Sequence, residues 1–253
     1  MREIEELVVR MALANRTWGF DRIAGELKQL GHRVSDTTIG NILERNGIEP
    51  APTRRTKTTW KELIDAHKDV LAATDFFTVE VWTRAGLVTH YVLFFIHVAS
   101  RRVRVAGITP NPTAAWMAQL ARNETAEGWG FLTSTRLLVH DRDTKFCDGF
   151  RSVLRSAGIR PLALPPRSPN LNAFAERWVR SVKEECLDRL IFFGTPSLHR
   201  ALREFETDYL EERPHQGLRN ELVQPPTRTG GNGAIERHER LGGLLNHDRR
   251  RAA

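Results

Sequence analysis

The change of hydrophobic period near residue 70 constrains the fold of this chain more than any other feature. Three β-rich stretches follow one another there with only short turns between them, which predicts antiparallel hairpins. Helical and β-rich stretches then alternate as far as the long helix around residue 180. The resulting order, β-β-β-α-β-α-β-α, predicts an α/β fold with a mixed sheet and helices on both faces. The three opening stretches are TDFFTVEVWT, LVTHYVLFFIHVAS and RRVRVAGITP.

Residues 1–50 have the helical period instead. Ile23, Leu27 and Leu30 are spaced along one face of a helix that a glycine should end, and Ser35 can cap the next helix. Two short helices joined by a tight turn are typical of a helix-turn-helix segment that binds DNA, although a helical hairpin that only packs has the same pattern. The candidate DNA-binding residues, on exposed positions of the second helix, are Thr37, Thr38, Asn41 and Arg45.

The charge of the chain narrows the class of partner. Its 253 residues carry a formal net charge of +7, which favours a polyanion such as nucleic acid. Residues 51–68 are predicted to form a basic linker and residues 221–253 a basic C-terminal tail, on either side of a core at 69–220. The two cysteines form neither a zinc-binding pattern nor a disulfide framework, which fits a reducing cytoplasm. No stretch is apolar for long enough to predict a membrane span.

Three carboxylates occur where the predicted elements could bring them together. Asp75 lies inside the first strand, Asp141 just after the fourth, and Glu176 in the first turns of the long helix. Clustered carboxylates repel one another without a cation, and their hard oxygen ligands suit Mg²⁺ or Mn²⁺ rather than zinc. We therefore predict a two-metal site, with ions about 4 Å apart, that supports in-line attack on a phosphodiester.

Over nearly its whole length, the chain resembles the transposases of bacterial insertion sequences that carry a retroviral-integrase-type catalytic core. The motifs that carry this resemblance are TDFF around Asp75, VHDRDTKF around Asp141, PPRSPNLNAFAERWVRSVKEE around Glu176, and YLEERPHQGL after the core. The resemblance implies a ribonuclease-H-like core in which the three acids are catalytic and bind the metal ions. It also implies cleavage of DNA at element ends, transfer of the 3′-hydroxyl to a target, and a homo-multimer that handles two ends together. A nucleoid-associated cytoplasmic location would follow.

The stretch HDRDTKF offers two aspartates for one metal-binding position. In the family, this aspartate usually stands five positions before an aromatic residue, and Asp141 stands five before Phe146. Asp143 then occupies a position where the family usually has glycine. We expect Asp143 and His140 to contact the metal-binding carboxylates rather than the metal, with a helix N-cap as an alternative role for Asp143 and simple packing as the alternative for His140.

Cations near Glu176 are the candidates for holding the DNA end. Arg180 and Lys183 follow Glu176 by four and seven positions, which places them on its face of the helix. Arg167 and Asn170 belong to the loop RSPN just before the helix, where they could line the site. An ordinary turn and a solvated basic face are the alternatives.

Two other functions remain open from the sequence. A nuclease of the same fold would use the same acids without strand transfer. A non-catalytic or truncated DNA-binding relative would bind without cleavage, or act only with an upstream-encoded transposase partner.

Overall fold

The computed structural model describes residues 2–15, 18–49, 64, 66–164, 172–225 and 233–250. Contacts divide the chain into two compact units, Met1–Asp65 and Ala66–Ala253. No helix among the described residues is long and apolar enough to cross a membrane.

The first unit is a small helical bundle. It contains α1 (Arg2–Ala14), α2 (Phe20–Gln29) and α3 (Asp36–Arg45). Its buried core consists of Val8, Ala12, Ile23, Leu27, Ile39, Ile42 and Leu43. As predicted, the Ser35 hydroxyl accepts a hydrogen bond from the Thr38 N–H and so caps α3. The prediction for Leu30 is wrong, because α2 ends at Gln29 and the Leu30 side chain is 55% exposed.

The second unit is built on a mixed sheet, and the predicted β-β-β-α-β-α-β-α order is confirmed. Strands β1 (Leu71–Thr83), β2 (Gly86–His97) and β3 (Val103–Thr109) form an antiparallel meander. Strands β4 (Leu137–His140) and β5 (Arg160–Ala163) continue the sheet in parallel with β1. The order across the sheet is β3-β2-β1-β4-β5, which is the predicted ribonuclease-H-like arrangement.

Helices cover both faces of this sheet because the strands are apolar on both sides. Leu93 and Phe95 of β2 belong to one core with α4 (Ala114–Thr125) and α5 (Asp148–Ser156). Phe94 points to the opposite face, where its ring lies 4.3 Å from that of Trp178 on α6 (Ala173–Glu185).

The chain after α6 contains structure that the sequence did not predict. Strand β6 (Phe192–Phe193) pairs with β1 in parallel, and α7 (Thr195–Thr207) follows it, so α6 is not the last long helix. Residues 235–250, within the predicted basic tail, form a hairpin of β7 (Ile235–Arg240) and β8 (Leu245–Arg250). Arg240 ties this hairpin to the core through Glu204 and Glu212.

Candidate active site

Strand register places Asp75 and Asp141 at the same level of the sheet. The parallel pairing of β1 with β4 matches Ala73 to Val139. Continued for two residues past this last pair, and one residue past the end of β4, the same offset would bring Asp75 level with Asp141. Side chains two residues apart on a strand lie on the same face of the sheet. If the strand conformation continues to Asp141, the carboxylates of Asp75 and Asp141 therefore lie on one face.

The Asp75 carboxyl group lies in an electrostatic cluster. Burial raises the pKa of Asp75 to about 6, although the Phe76 N–H, which donates to Oδ1 at 2.7 Å, opposes this rise. The negative charges of Asp141, Glu176 and Asp143 contribute to the same rise. The sheet and α6 therefore bring the three predicted acids close enough to interact.

Asp143 is neutralised by a lysine. Burial alone would raise the pKa of Asp143, but the hydrogen bonds and charge of Lys145 outweigh burial and hold the pKa below its usual range. The Lys145 ammonium lies 2.7 Å from Asp143 Oδ2, and the Asp143 N–H donates to Asp141 Oδ1 at 3.0 Å. The helix N-cap role for Asp143 is wrong, because α5 begins at Asp148 with Cys147 at its N-cap.

His140 is a packed residue at the end of β4. Its side chain is 1% exposed and its ring lies 4.9 Å from that of Phe146. Nδ1 hydrogen-bonds to the main-chain carbonyl of Asp141, while Nε2 has no partner among the described residues. Burial lowers the pKa of His140, so the neutral ring is favoured. His140 thus contacts the backbone of a candidate ligand and not its carboxylate.

Glu176 lies on the exposed side of α6, in its first turn. Arg180 is exposed and Lys183 half-buried. Helical periodicity places both cations on the Glu176 side. Two further candidates, Arg167 and Asn170, lie outside the described residues.

The sequence missed Asn172 as a site residue. Asn172 stands at the N-cap of α6, where an asparagine is ordinarily a capping residue, but its side chain makes no cap hydrogen bond. Nδ2 instead donates to Asp75 Oδ2 at 3.3 Å, and the buried Oδ1 has no partner among the described residues. Only its position, four residues before Glu176, could have pointed to it.

The donor chemistry suits a divalent cation, but the ligands are not preassembled. Carboxylate and amide oxygens are hard ligands of the kind that Mg²⁺ and Mn²⁺ prefer. Among the described residues, no group of three or more histidine, cysteine, aspartate or glutamate side chains is arranged to hold a metal ion. Asp75, Asp141 and Glu176 therefore interact through their charges without yet forming a coordination sphere.

The predicted DNA-binding residues of α3 are exposed, but their surface is not purely basic. Thr37, Thr38, Asn41 and Arg45 are all accessible. Arg45 donates to the carbonyl of Asn41 and lies 3.9 Å from Glu5. This surface can make polar contacts with a base edge, whereas its positive charge is partly compensated.

Comparison with known proteins adds a partial match. Residues 157–221 match the family model of the integrase core domain. The matched stretch contains Glu176 and the YLEERPHQGL motif but begins after Asp75 and Asp141. It supports an integrase-type core in this chain. No curated protein sequence matches the chain.

Two solved structures are similar to part of the chain. The catalytic core domain of BIV integrase is 18% identical, with a TM-score of 0.42 over 59% of this chain and 88% of that one. The HTLV-2 integrase catalytic core domain, solved with magnesium in a trimeric form, is 11% identical, with a TM-score of 0.47 over 61% of this chain and 93% of that one.

Proposed function

We propose that the chain is a DNA transposase that cleaves phosphodiesters at element ends and transfers the 3′-hydroxyl to a target. One observation carries the proposal. Extended past its last pair, Ala73 and Val139, the β1–β4 register would bring Asp75 level with Asp141, and the charge of Glu176 contributes to the raised pKa of Asp75. The family match around Glu176 supports the same chemistry.

Asp75, Asp141 and Glu176 would hold two Mg²⁺ or Mn²⁺ ions, which supply Lewis-acid chemistry for in-line attack at a phosphodiester. The raised pKa of Asp75, to which the charges of Asp141 and Glu176 contribute, supports this proposal, because a bound cation would favour the ionised form of the carboxylates. Asn172 restrains the Asp75 carboxylate, and Lys145 neutralises Asp143, so that Asp143 does not compete for the ions.

DNA would approach the three acids from the exposed side of α6, where Glu176 and two basic side chains lie. Arg180 and Lys183 lie on the same side of α6 and would bind backbone phosphates beside the scissile bond. Arg167 and Asn170 are proposed to line the same approach. The exposed α3 residues Thr37, Thr38, Asn41 and Arg45 would read the element end, as second helices of helix-turn-helix segments do.

The proposed reaction joins two element ends, so we also propose that the active form is a homo-multimer, alone or with an upstream-encoded transposase partner. A nuclease of the same fold would need only one end.

The test is a cleavage and joining assay with labelled oligonucleotides in Mg²⁺ or Mn²⁺. One substrate carries the terminal repeats of the element and the other is random. The wild type should cleave and join the first, Asp141→Asn and Glu176→Gln should do neither, and Asp143→Asn should retain activity. Cleavage without joining would instead identify a nuclease. Loss of activity in Asp143→Asn with full activity in Asp141→Asn would overturn the assignment of the acids.

A further inference from the structure

A polar cavity lies on the other side of α6 from Glu176. It has a volume of about 220 Å³ and is enclosed by α6, the turn after β2, and the segment Tyr209–Gly217. Helical periodicity puts Trp178 and Ser181 on this side, roughly opposite Glu176, with Arg177 between the two sides. None of the described residues that line the cavity is acidic. Its charged and polar lining includes Arg101, Arg177, Trp178, Tyr209, Arg213 and His215.

Trp178 contributes a buried donor that has no acceptor. Its side chain is 1% exposed and its ring packs against those of Phe94 and Phe77. Among the described residues, nothing accepts a hydrogen bond from Nε1. Buried polar groups are normally paired, because an unpaired donor loses its hydration without compensation. Because Nε1 is itself buried, an acceptor in the cavity would restore that pairing only if the neighbouring side chains move apart.

Two arginines give the cavity positive charge, and none of the carboxylates among the described residues lines the cavity or pairs with these two side chains. Arg101 adopts a left-handed backbone conformation with φ 63°, and its guanidinium lies 3.6 Å from the centre of the Phe174 ring. The guanidinium donates a hydrogen bond to the carbonyl of Val98, a neutral acceptor. Burial lowers the pKa of Arg101, Tyr209 opposes this effect, and the charge of Arg177 adds to it. The guanidinium stays charged at neutral pH because an arginine does not deprotonate in proteins.

Arg213 behaves differently from these two. It is paired with Glu185 and donates to the Ser181 hydroxyl at 2.6 Å. His215 is likewise engaged, since its Nε2 hydrogen-bonds to the Tyr209 carbonyl. Arg101 and Arg177, in contrast, have no carboxylate within ion-pair distance among the described residues. The positive charges of Arg101 and Arg177 are therefore available to an anion that binds in the cavity.

We propose that this cavity binds a phosphate group of the DNA backbone, with Arg101 and Arg177 supplying charge and Trp178 Nε1 supplying a neutral donor. Two guanidinium groups and an N–H donor can bind any phosphate group. DNA as its source rests on the proposed function. The exposed Arg177 extends the site to the surface, where a strand can present one phosphate while its neighbours stay in solvent. Phosphate contacts of this kind position DNA and carry no sequence information.

The test uses the full chain and three variants that separate the two contributions. Arg177→Gln removes a charge, and Trp178→Phe keeps an aromatic ring but removes the N–H. Arg155→Gln is the matched control, because Arg155 is also an exposed arginine on a helix and is remote from the cavity lining. Affinity for a random duplex is measured by fluorescence anisotropy over a series of salt concentrations. Melting temperatures without DNA show that each variant is folded.

The two variants should have different signatures. Arg177→Gln should reduce the slope of log affinity against log salt concentration by about 0.9, the value for one phosphate contact. Trp178→Phe should weaken binding about tenfold at every salt concentration, because a neutral donor releases no counterion. Arg155→Gln should match the wild type. If Arg177→Gln and Trp178→Phe also match the wild type in slope and affinity, the inference is wrong.

A second readout distinguishes DNA from free phosphate. Inorganic phosphate, compared with chloride at equal ionic strength, should raise the melting temperature of the wild type but not of Arg177→Gln. If phosphate stabilises the wild type while DNA affinity is unchanged in both cavity variants, the site takes free phosphate and its assignment to DNA is wrong.

Failure of the inference can also be separated from failure of the proposed function. Wild-type cleavage and joining with an unchanged salt slope in Arg177→Gln would overturn only the cavity assignment. A reduced slope in Arg177→Gln together with a wild type that neither cleaves nor joins would overturn only the transposase assignment.

Discussion

The Asn172 side-chain amide lies 3.3 Å from Asp75 Oδ2, although Asn172 stands at the helix N-cap and Asp75 lies in the middle of a strand. This contact restrains a carboxylate whose pKa is raised by burial and by its acidic neighbours. Groups that orient a metal ligand typically change metal affinity or activity by about 10-fold to 100-fold when they are removed.

The Asn172 contact predicts an effect on metal affinity without loss of the fold. Asn172→Ala should weaken Mn²⁺ binding about tenfold, because the Asp75 carboxylate loses its restraint. Calorimetric titration of the metal measures this directly. Asn123→Ala, a helix asparagine on α4, is the control and should bind Mn²⁺ like the wild type. Equal affinity in Asn172→Ala and the wild type would remove Asn172 from the site.

The pairing of Lys145 with Asp143 predicts a measurable coupling energy. Both side chains are about three-quarters buried and their charged atoms are 2.7 Å apart. Lys145→Met and Asp143→Asn should each destabilise the protein, and the double variant should lose less than the sum, with a coupling of about 1 kcal/mol. Urea unfolding of the four proteins gives the cycle. Strict additivity would mean that the pair does not stabilise the active-site loop.

Burial of Glu206 predicts a stability change with a defined pH dependence. Burial raises the pKa of Glu206 to about 7, with the Val105 N–H and Arg104 opposing the rise and Glu124 adding to it. The folded state therefore binds a proton more tightly than the unfolded state between pH 4.5 and 7. This contribution to stability is complete below pH 4.5 and is lost as the pH rises through 7.

Glu206→Gln should consequently leave the free energy of unfolding unchanged at pH 4 and raise it by about 3 kcal/mol at pH 9. Urea unfolding at both pH values makes the comparison. Glu211→Gln, at an exposed position a few residues later, should show no such pH dependence. A gain for Glu206→Gln that is equal at both pH values would contradict the explanation by charge burial.

The ion pairs of Arg240 should hold the C-terminal hairpin against the core of the second unit. Its guanidinium contacts Glu204 at 2.6 Å and Glu212 at 2.8 Å, and the Glu212 side chain is only 9% exposed. Arg240→Ala should cost about 3 kcal/mol, because it leaves two carboxylates without their partner. Arg237→Ala, in the same strand, breaks only an exposed pair with Asp248 and should cost less than about 1 kcal/mol. In limited proteolysis, the hairpin β7–β8 should be the first site of cleavage in Arg240→Ala, but not in Arg237→Ala or the wild type.

Some of the secondary structure could be predicted because apolar residues recur at regular spacings within each strand or helix. Alternating apolar residues define β1 and β2, and the spacing of Ile23 and Leu27 defines α2. The 66-residue separation between Asp75 and Asp141 equals the β1–β4 offset, so one aspartate inside a strand and one just after a neighbouring strand were enough to suggest that they meet. These features depend on local periodicity, which a sequence displays directly.

The remaining features depend on contacts between distant residues and have no local signal. Asn172 has the residue type and position of a helix cap, and only the tertiary structure turns it towards Asp75. Arg240 meets Glu204 across 36 residues, and nothing in the basic character of the tail indicates that pair. Leu30 continues the helical period of α2, but the helix ends one residue earlier and leaves it exposed.

Metal binding by the three acids is the central claim, and a Mn²⁺ titration followed by electron paramagnetic resonance tests it most directly. The wild type should bind Mn²⁺ and reduce the signal of the free ion, while Asp75→Asn and Asp141→Asn should lose binding and Glu176→Gln should weaken it. Asp143→Asn should bind like the wild type, because Lys145 already neutralises Asp143. Undiminished binding in Asp75→Asn and Asp141→Asn would contradict a metal centre at this edge of β1 and β4.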